Sequence, residues 1–431
     1  MATLRDGEKI ADDMWVPNIL LALRHKRFRR LWVGQAFSAL GNGITPVALT
    51  LLLLGSGRPA THLGWVLGAQ SAGLILFVLV GGLLGDRVDR VSLMAVSDVV
   101  RLASTLLLAI VGLHVGLVPL MAIAFVLGVG GAMFEPAERA MLPSLVPNNE
   151  LQAANGLTGV TNRIALILGP PLGAFLVAGF GPGAAFGVDA VTFLISVISL
   201  LTLRERGQRP AVAPHGRSLP AEAWEGVRTL RKHPWAAAVI IQGAVQVLLV
   251  HAPLTVLAPL VLRTRGELSS YGWLLSLQAV GAVLGALLAG RWHPREPGTV
   301  ALLAMLGGLP VLIGLVAGFP VPVLSALMIL YGAGGSVFAV LWASALQRHI
   351  PNVVLARVVS LDYVGQLGLE PVGLAITAPL AAIAGIAATI WASISALLIT
   401  TAAPFAVTGV RELGRGPVDD GPSRDLDERR L

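Results

Sequence analysis

The sequence predicts an all-α polytopic membrane protein, with twelve transmembrane helices in two pseudo-symmetric six-helix bundles. Three observations carry the prediction. Charged residues are 13% of the 431 and apolar residues 55%, where soluble domains of this size carry about a quarter charged. Asp, Glu, Lys and Arg are missing from runs as long as Leu31–Gly57, Pro59–Gly85 and Pro234–Leu262. The basic residues fall almost entirely in alternate connections between those runs.

A helix crosses a bilayer core of ~30 Å with about 20 residues. Unpaired backbone groups cannot face lipid, so each span is a helix. The ~10-residue alternating strands of a barrel are not seen. In order, the expected cores are 31–54, 63–84, 92–111, 118–136, 153–178 and 184–203, then 236–261, 269–290, 299–317, 323–345, 359–382 and 386–408. The first two and the seventh and eighth lie in unbroken charge-free runs. Leu102–Phe134 breaks near Gly112–Pro119, Pro297–Gln347 at Gly318–Pro322, and Pro371–Val410 near Gly385. The third, fourth, fifth, sixth and eleventh spans carry the few charges that remain.

With both termini cytoplasmic, 26 of the 31 Lys and Arg fall on inner segments. Three, Arg58, Arg263 and Arg265, fall on outer loops, and Arg101 and Arg163 lie inside spans. This is the positive-inside asymmetry. It accounts for a pI near 10.6 without any nucleic-acid ligand. The domains read as an N-terminal tail 1–30, a bundle 31–203, a cytoplasmic linker 204–234, a bundle 235–410 and a disordered cytoplasmic tail 411–431. In the linker, Ser218 is a candidate N-cap with Pro220 in the first turn. Ala223, Trp224, Val227 and Leu230 share a face, which predicts a helix lying on the inner membrane surface. The first thirty residues lack the pattern of a secretory signal.

The halves echo each other at an offset of 204. Pro147-Asn148 with Leu151 repeats as Pro351-Asn352 with Leu355, and Gly81 repeats as Gly285. Two six-helix repeats about a mid-membrane cleft form a transporter architecture. The chain has no cysteine, no phosphate-binding loop, no nucleophile elbow and no clustered metal ligands. An enzyme, a metal centre, a cofactor and direct ATP drive are therefore not expected.

Gly82-Leu-Leu-Gly-Asp86-Arg87-Val-Asp89-Arg90, between the second and third spans, resembles the signature loop of the major facilitator superfamily. Asp89 stands where that loop usually has Gly, and Val91 where it has a basic residue. Leu168-Gly169-Pro170-Pro171-Leu172-Gly173 in the fifth span resembles the element of facilitator-family exporters, with Ala165 and Ala174 in place of Gly; plain helix packing is the other reading. Phe28-Arg-Arg-Leu-Trp32, Ser97-Asp98-Val-Val-Arg101, Phe134-Glu135-Pro136-Ala137-Glu138-Arg139, Asn148–Asn155 and Phe186-Gly-Val-Asp189 resemble the macrolide-efflux and enterobactin-exporter branch. The resemblance covers about residues 20–410. It implies a proton-driven exporter in the cytoplasmic membrane, whose partners are a small-molecule substrate, protons and the lipid bilayer. The chain is expected to be monomeric.

Site candidates follow. Gly82, Asp86, Arg87, Arg90, Asp98, Arg101 and Arg357 are expected to form a conformational gate, Asp86 pairing with a basic group such as Arg357; a solvated topogenic loop is the alternative. Arg163 is expected to brace the fold toward Glu135 or Asp98, and Asp189 to cap the sixth span. Buried charge in lipid needs a reason. Asn42 cannot titrate where the branch often has an acid after Leu-Gly, so Glu370 is the first candidate for proton coupling, then Asp362 and Glu135. Polar residues expected to line the cleft are Gln35, Asn42, Gln242, Gln246, His251, Gln278, Tyr331, Trp342, Tyr363 and Gln366. A mostly apolar cleft suits a neutral or cationic lipophilic substrate. A siderophore or lipid exporter would rely more on basic pocket groups. A non-transporting receptor or sensor of the same fold would tolerate loss of Asp86 and Glu370.

Overall fold

The computed structural model describes residues 19–203 and 219–413, except single positions 113, 293 and 412. The two tails beyond them and the first half of the linker lie outside the described residues. Among those described there are helices and no strand, and twelve of the helices are long and apolar enough to cross a membrane. They are α1 (Lys26–Gly55), α2 (Ala60–Arg87), α3 (Arg90–Val111), α4 (Leu117–Met141), α5 (Leu151–Phe180) and α6 (Pro182–Leu201). The second six are α7 (Pro234–Thr264), α8 (Tyr271–Arg291), α9 (Pro297–Ala317), α10 (Val321–His349), α11 (Asn352–Gly368 continued by Glu370–Ala384) and α12 (Ile386–Ala402). The linker helix Leu219–Lys232 precedes α7.

An even number of crossings returns both ends of the described chain to one face, called the terminal face below. There His25 donates to Glu150 at the start of α5 (2.9 Å), and the Arg411 carbonyl accepts from the Gly298 amide at the start of α9 (2.8 Å). Arg87, Arg90, Arg139, Arg291, Arg348 and Arg357 belong to this face, whereas Arg58, Arg263 and Arg265 lie at the opposite, far face.

Without a hydrophobic drive inside lipid, helix pairs close through small residues. Gly81 of α2 abuts the Ala132 carbonyl of α4, and Gly285 of α8 abuts the Ala333 carbonyl of α10. No side chain fits at either point, so the glycines that repeat in sequence occupy matching seams of the two bundles. Two helices are irregular. α7 passes through one π turn, Val247–His251, just before Pro253, whose missing N–H loosens the helical ladder. α11 is interrupted at Leu369, immediately ahead of Glu370-Pro371.

The halves touch chiefly along two crossings, beside which Val47, Leu51 and Ala174 of the first half pack into one apolar cluster with Val250, Leu254 and Leu257 of α7. In the first, Gly64 and Gly68 of α2 meet the Leu374 and Pro371 carbonyls of α11; in the second, Gly272 of α8 meets the Pro170 carbonyl of α5. Ser276 adds a hydrogen bond to the Ile167 carbonyl (2.6 Å). At the far-face loops Arg263 donates to the Arg58 carbonyl (3.0 Å). Toward the terminal face α5 changes character. A Cβ on Gly156 or Gly159 would meet nothing within 4 Å, and Asn155, Val160, Asn162, Arg163 and Ile164, which point in several directions, are all exposed. On the α5 side the halves are therefore joined in the far-face half of the bundle and parted toward the terminal face.

Candidate functional site

The parting encloses a cavity of about 760 Å³, within the size range of small-molecule sites. α1 and α5 supply Asn42, Gly43, Pro46, Arg163, Leu166 and Pro170; the rest of the wall comes from α7 to α12. The second half thus shapes most of the chamber, and the first half contributes one narrow strip.

The wall is built of braced polar groups on an apolar ground. His251 shares a hydrogen bond with the Tyr331 hydroxyl (2.8 Å); the π turn places it there, and no freed backbone carbonyl is its partner. Trp342 donates its indole N–H to Asp362 (3.0 Å), and Gln366 donates to the other oxygen of the same carboxylate (2.8 Å). Phe338 stacks on Trp342 with ring centres 6.4 Å apart. Glu370 is the last residue that α11 gives to the wall and accepts from Ser71 of the opposite half (3.1 Å). Gln246 lines the wall and donates to Thr400 and Thr401 of α12, 3.1 Å each.

Arg163 departs from expectation. It pairs with neither Glu135 nor Asp98, and its exposed side chain lines the cavity. Glu135 instead lies 3.7 Å from Arg139 on its own helix. Among the cleft candidates, Asn42, Gln246, His251, Gln278, Tyr331, Trp342 and Gln366 form the wall. Gln35, Gln242 and Tyr363 do not. Gln35 turns into the first bundle and donates to Ser196 (3.2 Å). Gln242 is buried, with neither amide atom hydrogen-bonded. Tyr363 is 39% exposed away from the wall. The face that a helix presents to the cavity is set by its neighbours, which one strand of sequence does not contain.

Inside the first half lies a polar cluster. Asp98 is fully buried, lies 3.2 Å from Arg101 and accepts from Ser196 (2.5 Å). The Arg101 guanidinium also donates to the Asn42 side-chain carbonyl and lies 4.2 Å over the Phe193 ring. Asp189 is 1% exposed and accepts from Thr45 (2.5 Å) and Thr192 (3.2 Å). It does not cap α6, whose N-cap is Gly181; it faces α1, where Gly41 leaves just enough space for it.

At the signature loop, the Asp86 side chain lies outside the described residues, so its expected pairing does too. Gly82 faces open space, Arg87 is exposed, and Arg90 donates to the Ala140 carbonyl of α4 (2.8 Å). Arg357 is half-buried and engaged. Asp98 and Arg101 point away from this loop into the cluster just described. Asp89, the departure from the usual glycine, caps α3 by accepting from the Ser92 amide (2.8 Å). In the exporter-like element, Gly169 abuts Gly43 and Gly173 abuts Ile44 of α1, while the Pro170 carbonyl takes Gly272. The element is thus where α5 meets both its own bundle and the other half.

Comparison with known proteins agrees with this architecture. The profile of the Major Facilitator Superfamily matches residues 31–365. The enterobactin exporter EntS of Shigella boydii serotype 4 (strain Sb227) is 27% identical over 361 residues, which cover 80% of this chain and 82% of that protein. A bacterial homologue of the iron transporter ferroportin, solved in an inward-facing state, superposes with a TM-score of 0.67 at 17% identity, covering 88% of this chain and 98% of that one. A bacterial homologue of the lysosomal transporter Spinster, inward-facing and unoccupied, gives 0.68 at 15% identity over 91% of this chain and 99% of that one.

Proposed function

The chain belongs to the major facilitator superfamily, and from that membership we propose that it exports an amphipathic small molecule by alternating access, driven by inward proton flow. The observation that carries the reading is the chamber between the halves, mostly apolar, parted at one face and closed at the other. Under the positive-inside rule the terminal face, which holds the basic loops, is cytoplasmic. The structure then corresponds to the inward-open state in the cytoplasmic membrane, with substrate entering from the cell interior. Closing the terminal face and parting the α2–α11 and α5–α8 crossings would release it outside.

Glu370 is the proposed coupling carboxylate. It lies on the cavity wall and at an inter-half hydrogen bond at once, so its charge bears on both substrate and seal. Glu370→Gln is expected to abolish proton-driven uptake into inverted vesicles while the protein still folds. Undiminished uptake would overturn that role.

One observation favours a siderophore over a neutral drug. Asp362 and Glu370 are both hydrogen-bonded, whereas Arg163 presents its charge to the cavity with no partner among the described residues. An accessible, unpaired guanidinium binds carboxylate- or catecholate-type oxygens well. The relative named as an enterobactin exporter supports the same choice. Expression in an efflux-deficient host, screened against hydrophobic toxins and for siderophore secretion, separates the two. Resistance that survives Arg163→Gln indicates a neutral or cationic substrate, and secretion lost in that variant indicates an anionic one. No phenotype in either arm, with the protein present in the membrane, would reject export.

A further inference from the structure

We propose that the Asp98–Arg101–Asp189 cluster in the first half is a proton-binding site, in contact with the cavity through Asn42. The proposal rests on the export reading only for the use to which the proton is put; the site itself follows from charge and enclosure.

Asp98 and Asp189 are 0% and 1% exposed, and Arg101 is 7% exposed. Two carboxyls share one guanidinium. Arg101 pairs directly with Asp98, and Asp189 has only hydroxyl donors, from Thr45 and Thr192. A buried carboxylate without a cation is very costly. The cluster is electrically balanced when it holds one proton. The charged groups around it supply no second cation among the described residues; the half-buried Glu138 adds a further carboxylate. α4 brings Glu138 within electrostatic reach of Asp98 and Arg101, with Glu135 and Arg139 beyond, and those last two pair with each other.

A second, independent feature points to a missing occupant. The stripe Gly34, Ser38, Gly41, Thr45 of α1 faces α6, with Gly34 against Ser199 and Gly41 against Asp189 and Thr192. Ser38 on that stripe is 1% exposed, and its hydroxyl has no hydrogen-bond partner. A buried hydroxyl left unpaired costs about 1–3 kcal/mol. On the stripe that meets Asp189 at Gly41, it is the group that would accept a hydrogen bond from a protonated carboxyl or a carrying water.

The exit is defined as well. Asn42 accepts from Arg101 and also lines the cavity, so the cluster touches the chamber at that carboxamide. On release, one carboxyl O–H bond breaks, the bonding pair stays on the oxygen, and the proton passes to water in the cavity; no other reactant is needed. The same helix carries Gly43 and Pro46 on the cavity wall, so a change in the cluster's charge acts on the strip that the first half presents to substrate. The offset of 204 places Gln246 opposite Asn42, while the positions matching Asp98 and Arg101 are Leu302 and Met305. The second half therefore keeps the amide and lacks this enclosed charge cluster, so the site belongs to the first half alone and stands apart from the Glu370 carboxylate of the second half.

The test needs no substrate. Infrared difference spectra of the full chain in lipid nanodiscs, recorded between high and low pH, report protonated carboxyls. A carboxyl band that is lost in Asp189→Asn and in Asp98→Asn, yet kept in Glu370→Gln and Glu138→Gln, supports the site. A band unchanged in both aspartate variants overturns it. Should those variants fail to fold, the near-isosteric Asn42→Asp places a third carboxyl against the same guanidinium. It is expected to raise proton uptake by about one per chain, and an unchanged uptake overturns the proposal. None of these outcomes depends on whether export is observed.

Discussion

Gly41 shows how a single residue sets the interior of the first half. A Cβ there would run into the Asp189 carboxylate and the Thr192 hydroxyl. Overpacking of this kind costs about 1–3 kcal/mol. Gly41→Leu is expected to lower the thermal midpoint in detergent sharply, whereas the same change at Gly159, which faces open space, leaves it nearly unchanged. His233, ahead of α7 at the terminal face, offers a pH handle. Burial, then the neighbouring His349 and Lys232, hold its imidazole below the ordinary histidine range. The folded state thus favours the neutral ring. The stability His233 contributes is complete above that ordinary range and is lost as pH falls through it toward the lowered folded value. A series of thermal midpoints across mildly acidic pH should slope downward toward acid, less steeply in His233→Gln. At this scale the sequence was partly legible. The Asp98–Arg101 pair follows from a spacing of three on one helix. Asp189 was misread as a cap, because its depth shows in the sequence and its partners on α1 do not.

At the scale of the element, the spans were the most legible part, since a charge-free run of 20 residues has few other meanings in a chain this apolar. Their ends and irregularities were less so. The α7 π turn and the α11 break both sit next to prolines visible in the sequence, yet a proline alone does not say how the ladder rearranges. Asp89 is a clearer case. Against the family pattern it is a departure, whereas in the structure it is the N-cap of α3. Asp89→Ala should cost about 1 kcal/mol, seen as a lower thermal midpoint, and Asp89→Asn should restore most of it. Gln35, Gln242 and Tyr363 mark the limit of span-by-span reasoning. Depth made them cleft candidates, but the rotation of each helix within its bundle turned them elsewhere.

At the scale of the whole molecule, the two halves and their common cavity were expected from the internal repeat, and the unequal division of the cavity wall was not. Repeats predict matched scaffolds; they do not predict which copy keeps the charges. The alternating-access reading makes the far-face crossings separable. A Cβ on Gly68 would stand 3.6 Å from the Ala375 Cβ, inside the range for a disulfide. The chain has no native cysteine, so Gly68→Cys with Ala375→Cys can be read without background. Oxidation is expected to cross-link the pair and stop transport, and a reducing agent to restore it; full transport by the cross-linked protein would show that these helices need not part.

Those crossings have a further consequence. They consist of glycines set against carbonyl oxygens, apolar side chains packed beside them and a few one-sided hydrogen bonds, while the ion pairs described above, His25–Glu150, Asp98–Arg101 and Glu135–Arg139, lie elsewhere. Ionic strength has little grip on such a seam. Lateral pressure from the surrounding lipid does, because squeezing or thinning the far-face leaflet changes how closely two bare backbones can lie. On the alternating-access reading, opening of the far-face seam is therefore expected to respond to acyl-chain length and curvature stress more than to salt, as transport rates in bilayers of different thickness would register.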